Sequence, residues 1–387
     1  MTNGYSEASC SYFAANECRS CTFLGTAPGV RFNKKLGNLR EIFRSSRVEP
    51  KKFHDPVVSP SPWGTRHKVK MSVTGTVARP IIGVTGPDMN SRDIIGCKLA
   101  NAPIRALLSF IRDLITRYSL APYDIQQRRG ELKFIIAATS SNNDQGILRF
   151  VLRSVEAVSQ IKKAIPELIN AFPWLKVISC NIQPIPAAIL EGPEEIILTE
   201  CETIRDELAG VPIYFAPQSF MQVTPLIARQ LYQTAASVVA ETRPRRVLDL
   251  FCGVGGFSLF CASHCGSITG VEISPRAIEC ATKSVIELEL KNANFMVADV
   301  EQFTSERFGC NHDLIITNPP RRGLSKSTIE FLIREAPDTI LYSSCNPETF
   351  CRDATLLNNL YTVEETTPFD MFPMTDHWEI LGVLRRR

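Results

Sequence analysis

From Val211 onward the sequence alternates two kinds of segment. VLDLF, SITGVEIS, NFMVADV, DLIITNP and TILYSSC are apolar runs of strand length, while RAIECATKSVIELEL and KSTIEFLIREA repeat apolar residues at helical spacing. Strands that are apolar throughout are buried on both faces, which requires helices on both sides of a mostly parallel sheet. The rhythm therefore predicts a doubly wound, Rossmann-like α/β domain, with its ligand at the carboxyl ends of the strands. Ser274-Pro275 fits a helix start, since serine caps and proline occupies the first turn without losing a hydrogen bond. The closing apolar run HWEILGVL is expected to complete the sheet.

The upstream half has a different pattern. KVKMSVTGTV, ELKFIIAATS and GILRFVLRS alternate apolar and polar residues, as half-buried strands do. RALLSFIRDLITRY and AVSQIKKAIPELINAF read as helices, the second with a break or kink expected at Pro166. Three regions follow: residues 1–60, cysteine-containing, basic and irregular; 61–207, a middle α+β domain; and 208–387, the α/β domain. Hydrophobic residues at 44% and charged residues at 21% exclude a disordered or coiled-coil chain. No apolar run reaches the roughly 18 residues of a membrane span, and the N-terminus lacks the features of a secretory signal, so a cytoplasmic protein without a membrane partner is expected. A net charge of +3 permits a nucleic-acid partner without requiring one. Nothing points to an obligate protein partner.

The first strand of the α/β domain runs into Asp249-Leu250-Phe251-Cys252-Gly253-Val254-Gly255-Gly256. Glycines in that turn let the backbone approach a ligand, and their spacing is not the dinucleotide-binding G-x-G-x-x-G. The second strand ends at Glu272, where a carboxylate accepts ribose hydroxyls, and the third at Asp299, placed to meet an adenine edge. These features fit a nucleoside cofactor without phosphates, for which S-adenosylmethionine is the leading candidate.

Two further strand ends carry chemistry. Asn318-Pro319-Pro320 beside a methyl donor is similar to a run in enzymes that methylate exocyclic amino groups of bases, but Arg321 stands where those enzymes have an aromatic residue. Ser343-Ser344-Cys345-Asn346-Pro347 places a cysteine on the ligand side of the sheet. A thiolate adding to C6 of a pyrimidine makes C5 a carbon nucleophile, able to take a methyl group from a sulfonium. A base must then remove the C5 proton, and Glu379 is the candidate.

Thirteen cysteines in a cytoplasmic protein point to metal or catalysis rather than disulfides. Cys10, Cys18 and Cys21 form C-x7-C-x2-C, and Cys97 offers a fourth ligand. By ligand type alone, four thiolates suit zinc and an iron–sulfur cluster equally.

Taken together, LDLFCGVGGF, GVEIS, TNPPRRG, YSSCNP and the late D-H-x-E run resemble the RNA uridine-C5 methyltransferases across nearly the whole C-terminal half. The resemblance implies that Cys345 is the nucleophile and Glu379 the proton acceptor. It places S-adenosylmethionine against Gln222, Phe251, Glu272 and Asn318; many relatives have Asp at the last position. It also favours a [4Fe-4S] cluster on Cys10, Cys18, Cys21 and Cys97.

Trp63-Gly64-Thr65-Arg66-His67-Lys68-Val69-Lys70 combines an aromatic with cationic side chains, a composition suited to a single-stranded loop. Arg128, Arg129, Arg321 and Arg322 are candidates to extend that surface. The target base must leave its stack to reach a cysteine in a crevice, so a loop or bulge uridine is expected. Some relatives carry a β-barrel ahead of the cysteines, and relatives acting on transfer RNA usually lack the four-cysteine set. The four cysteines without a barrel imply the relatives that modify 23S ribosomal RNA. The competing readings are a transfer-RNA uridine methyltransferase, an amino-group methyltransferase built on Asn318-Pro319-Pro320, and a non-enzymatic RNA-binding iron–sulfur protein.

Overall fold

The structure is a computed structural model that describes residues 9–86, 91–185, 191–306 and 311–387. The N-terminal region is more ordered than its composition implies. After a short helix α1 (Ser11–Ala14), helix α2 (Pro28–Ser45) starts with proline in its first turn, and strands β1 (Lys52–Phe53) and β2 (Val57–Val58) follow. The expectation of an irregular basic segment is therefore corrected. The buried stripe of α2 is Arg31, Lys35, Leu39 and Phe43, four residues apart, so two cations interrupt its hydrophobic periodicity.

The middle region contains β3 (Lys68–Gly75), β4 (Pro80–Thr85), β5 (Ser91–Asp93), α3 (Ala102–Arg117), β6 (Leu132–Thr139), β7 (Gly146–Leu152), α4 (Val158–Ala171), β8 (Leu175–Ile182) and β9 (Glu194–Ile197). The strands form one sheet in the order β5-β4-β3-β6-β7-β8-β9, antiparallel except for β7 beside β8. Asn101 caps α3 by accepting a hydrogen bond from the Ile104 N–H. Pro166, where a break or kink is expected, lies inside α4 without ending it, so there is no break. Pro166 and Lys162 both face solvent, where water satisfies the carbonyl that a helical proline leaves unpaired.

The third region opens with a hairpin, β10 (Ile204–Leu208) and β11 (Val211–Phe215), and helix α5 (Pro225–Thr242). There follow β12 (Arg246–Leu250), α6 (Gly256–Cys261), β13 (Ser267–Glu272), α7 (Pro275–Glu287), β14 (Ala293–Val297), α8 (Val300–Glu306) and β15 (Leu314–Thr317). The chain ends with α9 (Lys326–Glu335), β16 (Thr339–Ser344), α10 (Pro347–Leu357), β17 (Tyr361–Asp370) and β18 (Glu379–Arg386). All five expected strands are present, and Ser274 caps α7 by accepting from the Ala277 N–H.

Among the described residues the main sheet runs β1-β17-β18-β16-β15-β12-β13-β14, with β2 also on β17. Strands β12 to β16 are parallel, and their order reverses between β12 and β15, which opens a crevice at their carboxyl ends. The final run HWEILGVL does not close an edge; β18 inserts antiparallel between β16 and β17.

The expected boundary at 207/208 falls inside the β10–β11 hairpin, whose Ile204, Leu208, Ile213 and Phe215 share a core with α5 and β12. Leu39 and Phe43 of α2 pack into the core on the other face of the sheet, with Phe350 of α10, so residues 28–58 are structurally part of the α/β unit. No helix among the described residues is long and apolar enough to cross a membrane.

Candidate active site

Strand β12 ends in a turn that bends sharply. Phe251 has φ 62°, left-handed and uncommon for a residue with a side chain; Gly253 has φ 55° and Gly255 φ 84°. A Cβ built on Gly253 would meet no atom within 4 Å, so the turn faces open space where a ligand can approach the backbone. The Gly253 N–H donates to Oε2 of Glu272 at 3.2 Å and the Ser274 N–H donates to Oε1 at 3.0 Å, which fixes the carboxylate across the turn. Asn318 is held beside the same strand by its N–H to the carbonyl of Leu250. Asp299 accepts from the Gln302 N–H through Oδ1 and caps α8 at the crevice rim.

Gln222, Phe251, Gly253, Glu272, Asp299 and Asn318 all line one cavity of about 460 Å³, and Cys345 and Glu379 line it too. The eight residues singled out in sequence for cofactor and chemistry thus converge. A nucleoside-sized cofactor fits this cradle: an open glycine turn, a fixed carboxylate, and apolar Phe251 and Ile273 on its walls.

Cys345 and Glu379 meet because of strand register. The last β16–β18 pair is Ser344 opposite Ile380, so Cys345 leaves one strand where Glu379 enters the other. Burial pushes the Cys345 thiol above its ordinary value and the Glu379 carboxylate adds to the shift, while the Arg321 guanidinium pulls it down. Glu379 is 3% exposed, and burial pushes it up to about 7. Ser343 opposes that shift, its hydroxyl donating to Oε1 of Glu379 at 2.6 Å. A carboxylate near 7 is a stronger base than one in water and is still half ionised at neutral pH. On β12, Asp249 is fully buried and pushed up to about 7 by burial, with Oδ2 accepting from Ser258 at 2.6 Å.

Comparison with known proteins agrees with this geometry. The family model described as tRNA (Uracil-5-)-methyltransferase matches residues 203–387. The 23S rRNA (uracil(747)-C(5))-methyltransferase RlmC of Photorhabdus laumondii is 39% identical over 375 residues, covering 97% of this chain and 98% of that protein. RlmC of Shewanella loihica is 40% identical over 378 residues, covering 97% and 99%. The crystal structure of Pyrococcus abyssi tRNA (uracil-54, C5)-methyltransferase in complex with S-adenosyl-L-homocysteine superposes with a TM-score of 0.78 at 25% identity, over 94% of this chain and 85% of that one. The chain belongs to the RNA uracil-C5 methyltransferases. Its α/β domain is the S-adenosylmethionine-dependent methyltransferase fold.

In this member of the family the cysteine positions also converge. Cys10, Cys18, Cys21 and Cys97 line a second cavity of about 270 Å³. The Gly96 N–H donates to the Tyr12 hydroxyl and Lys98 donates to the Ser9 carbonyl, tying the N-terminal turn to the Cys97 loop. Burial pushes the Cys21 thiol up to about 12, with further contributions from Cys97, Cys18 and Cys10, and Arg66 opposes them. Among the described residues no three His, Cys, Asp or Glu side chains stand as ligands of a single metal ion.

The basic run at 63–70 is less free than its composition implies. Lys68 donates to the Ser219 carbonyl at 2.9 Å, and His67 lies against the Ser140 carbonyl at 3.0 Å. Lys70 sits 4.2 Å over the Phe134 ring, and Trp63 packs beside the cysteine cavity. Arg128 and Arg129 are exposed, and Arg322 pairs with Glu301 at 2.8 Å. Three contributors went unrecognised in the sequence. Ser343 was visible two residues before Cys345, on the same face by strand alternation. Phe220, 66% exposed at the cavity, precedes Gln222 by the same spacing. Lys35 gave no signal, because its partners lie over 300 residues away.

Proposed function

We propose that this chain transfers a methyl group from S-adenosylmethionine to C5 of a loop uridine in 23S ribosomal RNA. The observation that carries the reading is the single cavity shared by the Gly253–Glu272 cradle, Cys345 and Glu379. Identity of 39–40% along whole-length relatives that carry the 23S rRNA name supports the ribosomal substrate over transfer RNA.

Gly253, Glu272, Asn318 and Gln222 hold the cofactor, with Asp299 at the adenine end. S-adenosylmethionine, when bound, supplies the methyl group from its sulfonium. Arg321 favours the Cys345 thiolate, whose sulfur forms a bond to C6 of the uracil; the C5–C6 π electrons move to the ring as an enolate. C5 then takes the methyl group. Glu379 accepts the C5 proton, the C5–C6 double bond re-forms, the C6–S bond breaks and Cys345 leaves as thiolate. Phe220 offers an aromatic face for a base drawn out of its stack. The exposed Arg128, Arg129 and Arg321 offer phosphate contacts.

The four cysteines hold a [4Fe-4S] cluster in this reading. What supports it is their convergence on one cavity and the cationic Arg66 beside them, which favours the thiolates of Cys21 and Cys97. The cluster joins the N-terminal turn to the middle domain and has no step in methyl transfer. Anaerobically purified protein should be brown, with iron and sulfide near four per chain; colourless protein with one zinc refutes the cluster.

The decisive test of the reaction mixes protein, S-adenosylmethionine and 23S rRNA made with 5-fluorouridine, followed by a denaturing gel. Fluorine cannot leave as a proton, so a covalent complex should persist, and Cys345→Ala should abolish it. Methyl transfer that survives Cys345→Ala would establish the amino-group reading instead.

A further inference from the structure

One buried side chain grips both ends of the loop that delivers Glu379. Lys35, on α2, is 1% exposed. Its ammonium contacts Oδ1 of Asp370 at 2.5 Å and donates to the Phe372 carbonyl at 3.0 Å, at the exit of β17. The same ammonium lies 4.4 Å over the indole of Trp378, the residue before Glu379 at the entry of β18. The Trp378 Nε1–H in turn donates to the Lys35 backbone carbonyl at 3.3 Å. Along the loop, Asn38 donates to Asp376 at 2.8 Å, and Thr224, just before α5, donates to the Met371 carbonyl at 3.0 Å. Residues 371–378 have anchors outside α2 as well, in the Phe23 N–H that donates to the Met374 carbonyl at 3.2 Å and in Arg66 over the Phe372 ring, and β17 and β18 pair directly up to Phe369 opposite Glu379; the contacts of Lys35 are those that hold both ends of the loop at once.

We propose that Lys35 is a positioning residue for the proton-abstraction step, its contacts with Asp370, Phe372 and Trp378 fixing the loop that sets Glu379 against the substrate's C5–H. The inference rests on the reading of Glu379 as the proton acceptor. Stability alone does not call for such a pair. Removing two charges from water is costly, and well-packed apolar replacements of buried ion pairs are often neutral or stabilising in other proteins. What an ion pair with a capped ammonium supplies is one defined geometry. A displacement of about 1 Å at a catalytic group costs on the order of a hundredfold in rate. Cys345 directly follows β16 and makes none of these contacts, so addition to C6 and methyl transfer do not depend on them.

The test separates the steps. Lys35→Met with Asp370→Asn removes both charges together and leaves neither unpaired. With ordinary 23S rRNA and S-adenosylmethionine, the double variant should accumulate a methylated covalent RNA adduct on a denaturing gel. Its kcat should fall by between about ten- and a hundredfold, with KM for RNA falling alongside because the adduct accumulates, so that kcat/KM is nearly unchanged and the 5-fluorouridine adduct forms at the wild-type rate. Trp378→Phe keeps an aromatic face for the ammonium and loses the N–H to Lys35 together with part of the indole's volume, a milder change that keeps the test open should the double variant lose the fold; about fivefold slower turnover with the same adduct is expected. Adduct formation and turnover falling in parallel, or turnover unchanged in both variants, overturns the inference. Glu379→Gln serves as the reference: if it accumulates no methylated adduct, the base assignment itself fails, whereas accumulation there and not in the Lys35 variants refutes only the positioning role.

Discussion

Ser343 gives the sharpest quantitative handle on the proposed base. Its hydroxyl donates to the ionised form of Glu379 at 2.6 Å, inside a site where burial has already pushed the carboxyl up to about 7. A hydrogen bond to a charged group contributes about 1.5–3 kcal/mol. At 1.36 kcal/mol per pKa unit, losing it in Ser343→Ala raises Glu379 by about one to two units, to about 8 or 9. The sign follows from the donor: Ser343 stabilises the carboxylate, so its removal favours the protonated, inactive base. At pH 7 the ionised fraction falls from about one half to between about one-tenth and one-hundredth, a loss of about 5- to 50-fold in proton abstraction. Above pH 9 the two proteins should differ by no more than about twofold.

The assay is release of tritium to water from RNA labelled with [5-³H]uridine, under single turnover, from pH 6 to 9.5. The ionisation of Cys345 affects both proteins, so the informative quantity is the ratio of their rates at each pH. A deficit that closes as pH rises is the expected result. A ratio independent of pH would refute the reasoning, since it would mean that Ser343 acts on geometry or that Glu379 is not the titrating base.

Gly253→Ala forces a side chain into a backbone with φ 55° and aims its Cβ at the cofactor cavity; calorimetric titration should show S-adenosylmethionine binding weakened by about tenfold or more. Asp249 and Glu379 both have folded-state values raised to about 7. Their contribution to stability is therefore full below the ordinary carboxylate range and is lost as pH rises towards 7, so the urea midpoint should fall between about pH 4 and 7 and level off above it, less steeply in Asp249→Asn. Met374 of the Glu379 loop packs with Leu24 and Leu99 beside Cys21 and Cys97; Cys97→Ser should therefore both bleach the broad absorption near 400 nm and speed hydrogen exchange in residues 371–378.

How much of this was legible in the sequence depended on how far each residue's physical reason lay from it along the chain. The strand ends were readable because each parallel strand is a short, mostly apolar run of recognisable length, so Glu272, Asn318 and Cys345 fall at its carboxyl end, on the ligand side. Glu379 lacked such a signal. It begins its strand rather than ending it, and only the antiparallel insertion of β18 beside β16 turns that start towards the crevice. Ser343 was hidden by function rather than distance, a small hydroxyl that looks like strand filling until the carboxylate above it is placed. The N-terminal helix failed for an electrostatic reason. Half of its buried stripe is Arg31 and Lys35, which a hydropathy pattern reads as solvated, and the carboxylate that makes Lys35 tolerable inside is Asp370, near the other end of the chain. A buried lysine is legible only once its partner is known. It is therefore the misread basic segment that binds the loop carrying Glu379, and a truncation that spared the whole methyltransferase sheet but removed α2 would leave the nucleophile in place and the base held only by its strand pairing and Ser343.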